Sequence, residues 1–342
     1  MKKYNQIFDF DIHDKNIEIL KTLEEDAKEV FSNHINSRKD WYPHEMIPWN
    51  RYSNIEKYGF EYNKEKISEN ISSAIYLLLM TEDNLPWYAR TITGFIGPEN
   101  RYTIWNDWLQ QWTAEEDRHS FVIRNYVTLN GLMDPFYLED ARMHQVSSGL
   151  VPEGIPEGNL VSQWLTYTVL QELAGRVSYR KVALALGDDT EGYHIMSKVA
   201  SDENRHFIFY RDICKKGFEK HPSEFLIGLA MEGIDFQLPG NHSGQGMIDF
   251  DIHSRNMANG GFYNLDLYIN EILKPSVYFW KIDQLKDLTP EAEKAREDIF
   301  SYIDKTNKFI EKIKDRALRS NSRSDSSELN KITHLPSLFE DK

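Results

Sequence analysis

The residue types best able to do chemistry in this chain are two acid–imidazole pairs: Glu116 with His119 in "TAEEDRH", and Glu203 with His206 in "ASDENRH". In a helix, residues three apart share one face, about 4.5 Å apart along the axis. Each pair can therefore present a carboxylate and an imidazole to one point. The face they occupy separates a solvated charge run from a set of ligands. Trp105, Leu109, Trp112, Glu116, His119, Ile123 and Tyr126 step by three or four, so Glu116 and His119 continue an apolar stripe. Ile195, Val199, Glu203, His206 and Tyr210 repeat the pattern. Glu115, Asp117 and Arg118 fall off the first stripe. A solvated or outer position is expected for Glu115, Asp83 and Asp202, and ion pairs for Arg118 and Arg205. An unpaired carboxylate on a buried stripe is costly, which calls for a strong partner such as a metal ion.

Two such pairs need two further carboxylates to hold two metals. The stripe Ile71, Ile75, Leu78, Leu79, Glu82, Leu85, Ala89 contains one acid, Glu82. The stripe Val161, Leu165, Thr168, Glu172, Tyr179 also contains one, Glu172. Glu82 precedes Glu116 by 34 residues, and Glu172 precedes Glu203 by 31. The chain thus reads Glu, then Glu-x-x-His, twice, which is the ligand plan of ferritin-like di-iron or di-manganese carboxylate bundles. Hard carboxylate oxygens suit Fe and Mn, and two irons can deliver two electrons to bound O2. Trp105, Trp108 and Trp112 are read as core.

The elements that must position these residues carry helical period throughout. Helices are expected over about 14–37, from about 64 through "ISSAIYLLLMTEDNLPWYARTITGF" with a break near Pro86, and over 99–130 ending at Gly131. Others are expected after Asp134-Pro135 and over 157–186, 189–218, 222–237, 261–272 and 289–318. The fold class is all-α, a ferritin-like four-helix bundle core with additional flanking helices, in one domain over 1–318. Residues 319–342 are polar and Ser-rich, and a flexible tail is expected there. "DFDIH" occurs at 9–13 and again at 249–253, and both copies are read as surface turns rather than ligands.

Bulk composition narrows the setting. A net charge of −14 excludes non-specific nucleic-acid binding. A single cysteine, Cys214, excludes an internal disulfide and fits a reducing compartment. The N-terminal stretch has no apolar region of signal-peptide type, and no run of about 18 apolar residues occurs. The expectation is a soluble, cytoplasmic protein.

The segments "MTEDNLPWY", "WTAEEDRH", "QEL" and "SDENRH" resemble the soluble acyl-acyl-carrier-protein desaturase family, the stearoyl-type enzymes of plastids and their bacterial relatives. The resemblance extends weakly to "KDWYP" and "KIDQLKDLTPEAEKAR", and so spans most of the chain in order. It implies Glu82, Glu116, His119, Glu172, Glu203 and His206 as ligands of two Fe ions, the two Glu-x-x-His glutamates bridging. Asp202 would orient a ligand histidine, and Trp112 would support the site from outside. It also implies O2 as co-substrate, two electrons from a ferredoxin-like donor, an acyl chain carried on acyl carrier protein, a cis double bond as product, and a homodimer. Lys39, assisted by Arg38, resembles a position near the carrier's docking site, whereas Lys215 with Lys216 and Arg180 with Lys181 read as ordinary surface charge. Plant members have Thr three residues after the third ligand. Here that position is Gly175, which removes a hydroxyl from the oxygen side and is expected to enlarge the pocket. That departure keeps open an alternative, a related di-iron oxygenase that hydroxylates or N-oxygenates another carrier-bound or free substrate. Acyl chain length depends on the end of a narrow apolar tunnel, which no local motif encodes.

Overall fold

In the computed structural model, which describes residues 12–62, 65–148, 160–187, 189–234, 236 and 247–321, every regular element is helical. The first two are α1 (Ile12–Thr22) and α2 (Glu24–Ser37), where one continuous helix is expected. Leu23 divides them with a helical backbone, and Ala27 N–H still donates to Leu23 O at 2.8 Å, so hydrogen bonding carries across the junction. Short helices α3 (Pro43–Met46) and α4 (Tyr52–Tyr58) follow through the aromatic loop. The next pair is α5 (Glu69–Asp83) and α6 (Leu85–Ile96). Pro86 lies in the first turn of α6, where its missing N–H leaves no helical bond unmade, so the chain breaks at Asn84 just before it.

α7 (Ile104–Leu129) stops where Gly131 takes φ +62° and Leu132 N–H closes back on Val127 O at 2.8 Å. After α8 (Pro135–Ser148) come α9 (Val161–Leu186) and α10 (Thr190–Lys220). Asp189 caps α10 by accepting from Gly192 N–H at 3.0 Å. The chain ends with α11 (Pro222–Gly233), α12 (Phe250–Asn259), α13 (Leu265–Leu267), a π-helical turn at Tyr268–Leu273, α14 (Lys274–Trp280) and α15 (Pro290–Asn321).

Three expectations change here. The second "DFDIH" is helical rather than a turn: Asp249 takes the left-handed φ of 55° and redirects the chain into α12, which packs on α5. Of the first copy, residues 9–11 lie outside the described residues, and His13 is an exposed side chain 3.4 Å from Glu99. The helix expected over 261–272 starts at Leu265 and widens into a π turn directly before Pro275, which has no N–H to tighten it. α15 reaches three residues into the expected tail, of which 322–342 lie outside the described residues.

α5, α7, α9 and α10 form the four-helix bundle, and the other helices flank it: α2 lies against α7 and α10, and α11 lies against α9 and α15. Two apolar clusters fill the bundle. One holds Trp105, Trp108, Trp112 and Phe209, the other Ile75, Leu79, Tyr126 and Tyr179. The three tryptophans are buried, and Trp108 stacks on Phe209 at 3.5 Å between ring centres. Among the described residues no helix is long and apolar enough to cross a membrane.

Candidate metal centre

The four bundle helices each bring one part of the ligand plan to a common point. α5 supplies Glu82, α7 Glu116 and His119, α9 Glu172, and α10 Glu203 and His206. All six side chains are buried. Their ligand atoms fall into two sets of four, each set within 4.8 Å of one another: Glu82, Glu116, His119 and Glu203, and Glu116, Glu172, Glu203 and His206. Glu116 and Glu203 belong to both sets. His119 Nδ1 lies 3.2 Å from Glu116 Oε2, 3.2 Å from Glu203 Oε1 and 3.5 Å from Glu82 Oε2. His206 Nδ1 lies 2.6 Å from Glu116 Oε1 and 3.5 Å from Glu172 Oε2.

Four of these atoms, Glu116 Oε1, His119 Nδ1, Glu203 Oε1 and His206 Nδ1, are buried without a hydrogen bond of normal geometry. Buried polar atoms in such a position want a partner. The outer faces of the two imidazoles are occupied instead. His119 Nε2 is 3.4 Å from Asp202 Oδ2, and His206 Nε2 is 2.9 Å from Glu115 Oε2. Burial opposes their charge, but Glu116 and the other facing carboxylates raise both imidazoles well above the ordinary histidine range, so each would give up its Nδ1 proton to ligate a metal while the outer carboxylate keeps the proton on Nε2. Once ionised, the four carboxylates would carry the charge that two divalent cations neutralise. The donor set is hard oxygen with imidazole nitrogen and no thiolate, which fits Fe or Mn.

Outer contacts fix four of the six candidate ligands, the two imidazoles and the carboxylates of Glu82 and Glu172. Trp112 Nε1–H donates to Glu172 Oε1 at 3.0 Å, and the Tyr179 hydroxyl donates to Glu82 Oε1. Asp202, fully buried, also accepts from Trp41 Nε1–H at 2.7 Å and Arg118 Nη2 at 2.9 Å, and pairs with Arg205. Arg118 packs over the Trp41 ring at 4.8 Å. Burial opposes its charge, but the hydrogen bond to His119 and the neighbouring cations hold the Asp202 carboxyl down at about 2.

Of the two positions expected for it, solvated or outer, Glu115 takes the outer one. It is buried, accepts from His34 Nε2 at 3.0 Å as well as from His206, and also receives Gln111 Nε2–H. His34 comes from α2, which covers the flank of α7 that one helix by itself presents as outside. Both histidines hold the Glu115 carboxyl well below its ordinary range against its burial. Sequence reasoning missed His34 and Tyr179 as parts of the site. Both carried a signal: His34 is three residues beyond Phe31 on the apolar stripe of α2, and Tyr179 lies two turns beyond Glu172 on its stripe. Asp83 pairs with Arg124 away from the cluster.

Gly175 lines the cavity beside the cluster, and a Cβ at this position would run into the Glu203 carboxylate, so the glycine makes room for that side chain from α10. Lys39 is exposed, whereas Arg38 is half-buried, pairs with Asp40 at 2.8 Å and comes within 3.9 Å of Glu115.

An apolar cavity opens onto the carboxylates. Leu77, Leu78, Leu85, Tyr88, Ala174 and Met257 line it together with Glu82, Glu116, Glu172 and Glu203. Burial raises Glu82 to about 7, with repulsion from Glu116 adding to it, and raises Glu172 and Glu203 also. Glu116 moves the other way: burial pushes it up, but His119 and His206 hold it low. Metal must therefore displace protons from the raised carboxyls near neutrality. Apparent affinity for Fe(II) or Mn(II) is expected to rise about tenfold per pH unit per displaced proton as pH increases through 7. Competition titrations across that range check it, and a pH-independent affinity would contradict the carboxylate set. The metal-free chain shows the opposite sign. A carboxyl that binds its proton more tightly folded than unfolded contributes stability at acid pH, which fades as pH rises from about 4.5 through 7.

The profile of the fatty acid desaturase family matches residues 15–333. A protein of Mycobacterium tuberculosis named as an acyl-[acyl-carrier-protein] desaturase, DesA1, is 32% identical over 290 residues, covering 83% of each chain. The chloroplastic stearoyl-[acyl-carrier-protein] 9-desaturase 1 of Arabidopsis thaliana is 30% identical over 319 residues, covering 88% of this chain and 77% of that one. The solved structure of DesA2 from Mycobacterium tuberculosis superimposes with a TM-score of 0.60 over 81% of this chain and 99% of that one. At 18% identity that likeness speaks to the fold.

Proposed function

We infer the reaction from one premise: this chain belongs to the fatty acid desaturase family. The reading is an oxidoreductase that introduces a cis double bond into an acyl chain held on acyl carrier protein, in fatty acid biosynthesis. Two adjacent methylenes, O2, two electrons and two protons give –CH=CH– and two waters. The electrons come from a ferredoxin-like donor, and the protein works as a homodimer. The observation that carries the reading is the pair of four-residue ligand sets sharing Glu116 and Glu203, opening onto an apolar cavity.

Glu82 and His119 would help hold one iron and Glu172 and His206 the other, with Glu116 and Glu203 common to both sets. When bound, the irons would supply the oxygen activation that no side chain here can, using the donor's electrons. The chain's own residues do the rest. Asp202 and Glu115 fix the two imidazoles, Trp112 and Tyr179 fix the terminal carboxylates, and Leu77, Leu78, Ala174 and Met257 exclude water from a substrate with no polar group to bind. Lys39, exposed on an acidic protein, offers a local contact for an acidic carrier.

The test loads the protein anaerobically with Fe(II), then supplies acyl carrier proteins bearing different chains, a ferredoxin reducing system and O2. Products are read by mass spectrometry. Loss of two hydrogens from a carrier-bound chain is expected. Gain of one oxygen instead would identify a hydroxylase, the outcome that Gly175, with no hydroxyl at its position, leaves open. No turnover of any carrier-bound chain would refute the substrate assignment.

A further inference from the structure

The second "DFDIH" is not used by the metal centre, yet its histidine is held from three sides. His253 Nδ1 lies 3.0 Å from Ser73 Oγ on α5, and its Nε2 lies 3.3 Å from the Tyr137 hydroxyl on α8. Its ring packs on Tyr76 of α5 at 4.2 Å between centres. Asn256 Nδ2 donates to the same Ser73 Oγ at 3.1 Å, and the Tyr76 hydroxyl donates to Ile248 O at 3.0 Å. Tyr137 also reaches Asp249 at 3.4 Å. These contacts clasp α12 onto the helix that carries Glu82. One turn beyond His253, on the same face, is Met257, which is 2% exposed. It is the single cavity-lining residue from beyond α10.

The cavity spans both apolar clusters of the bundle. Leu85, Trp112 and Ala174 belong to one, and Leu77, Leu78 and Met257 to the other. On the α5–α6 segment, Leu78 precedes Glu82 by one turn and Leu85 follows it by about one. An apolar chain that passes the carboxylates from the Leu85 side therefore runs toward Met257. Met257 belongs to α12, on which Ile252 stands in solvent at 52% exposure.

We propose that Met257 is the stop that limits how much acyl chain extends past the carboxylates, and that the His253 clasp sets its depth by fixing α12 on α5. This inference rests on the acyl-chain reading of the cavity. It makes chain-length preference a property of α12, an element that contributes nothing to the ligand set. Thioether side chains are flexible and fill irregular apolar gaps, so Met257 can seal the end without rigid complementarity.

The test separates this inference from the proposed reaction. Acyl chains of graded length ending in a diazirine are presented on acyl carrier protein and, separately, as free fatty acids. They are irradiated with the iron-loaded protein without O2 or reductant, and the adducts are mapped by mass spectrometry. The chain terminus is expected on Met257 for the length that fits. Adducts confined to Leu85 or Tyr88, or absent from the cavity, would overturn the inference. In turnover, Met257→Ala is expected to shift the kcat/KM ratio of the next longer to the original chain by roughly 10-fold, and Met257→Phe to shift it the other way. His253→Ala is expected to act in the same direction as Met257→Ala, with iron content unchanged. Alkene formation with an unaltered chain-length ratio in Met257→Ala would sink the inference and leave the reaction standing. Adducts on Met257 from a protein that makes no alkene would do the reverse.

Discussion

Replacing Glu116 by alanine is expected to lower tight iron binding from two ions per chain to at most one, and to reduce turnover to background. Glu116 is common to both ligand sets, and its two oxygens approach both histidines, at 3.2 Å from His119 and 2.6 Å from His206. No other side chain faces both imidazoles so closely, and its loss removes one charge from the place where two cations would repel one another most. Water entering the vacated volume supplies an oxygen but no charge. Glu115→Ala, one residue earlier, tests the specificity of this result. Glu115 touches His206 from outside, so two irons should still bind, with the His206 position weakened about 10- to 100-fold. Anaerobic Fe(II) titration followed by iron counting after gel filtration distinguishes the two variants. Two tightly held irons in Glu116→Ala would mean that the ligand set is wrong.

Replacing Asp202 by alanine should have the next largest effect, and on stability as well as on metal. The carboxylate is shared by His119, Trp41, Arg118 and Arg205. Its removal leaves the two guanidiniums facing each other, with Lys198 nearby, and a buried indole N–H without its acceptor. Breaking a buried charge network from one side costs about 3–5 kcal/mol. Asp202→Asn keeps the shape and an acceptor for one donor, so its cost should fall between alanine and wild type. The pH dependence has a definite sign. A carboxyl held at about 2 when folded and near 3.8 when unfolded contributes about 2 kcal/mol. That contribution is complete above the unfolded value and is lost as pH falls from about 4 through 2. The gap between denaturant melts of wild type and Asp202→Ala should therefore narrow by about 2 kcal/mol at acid pH. A constant gap down to pH 2 would show that the stabilisation comes from packing. At neutral pH, iron affinity at the His119 position should fall about 10- to 100-fold, because the imidazole loses the partner that fixes its orientation and tautomer.

The sequence by itself determined which six side chains would meet. Helical period is a consequence of backbone geometry, so an acid in line with Trp105, Leu109 and Trp112 must point where they point, whatever packs against them. Two Glu-x-x-His pairs and two lone in-stripe acids therefore specified one interior and a four-helix bundle around it. The periodicity of one helix says nothing about which neighbour covers its flanks. Glu115 lies off the stripe of α7, and only the docking of α2, which brings His34 from 81 residues away, makes that flank dry. That Gly175 also makes room for the Glu203 carboxylate follows only from the approach of α10. The second "DFDIH" looked like a turn because its helix is short and its partners, Ser73 and Tyr137, are more than 100 residues earlier. Ligand direction is written locally in the chain. What surrounds the ligands, and where the cavity beside them ends, is decided by contacts between distant segments, which only the packed tertiary structure fixes.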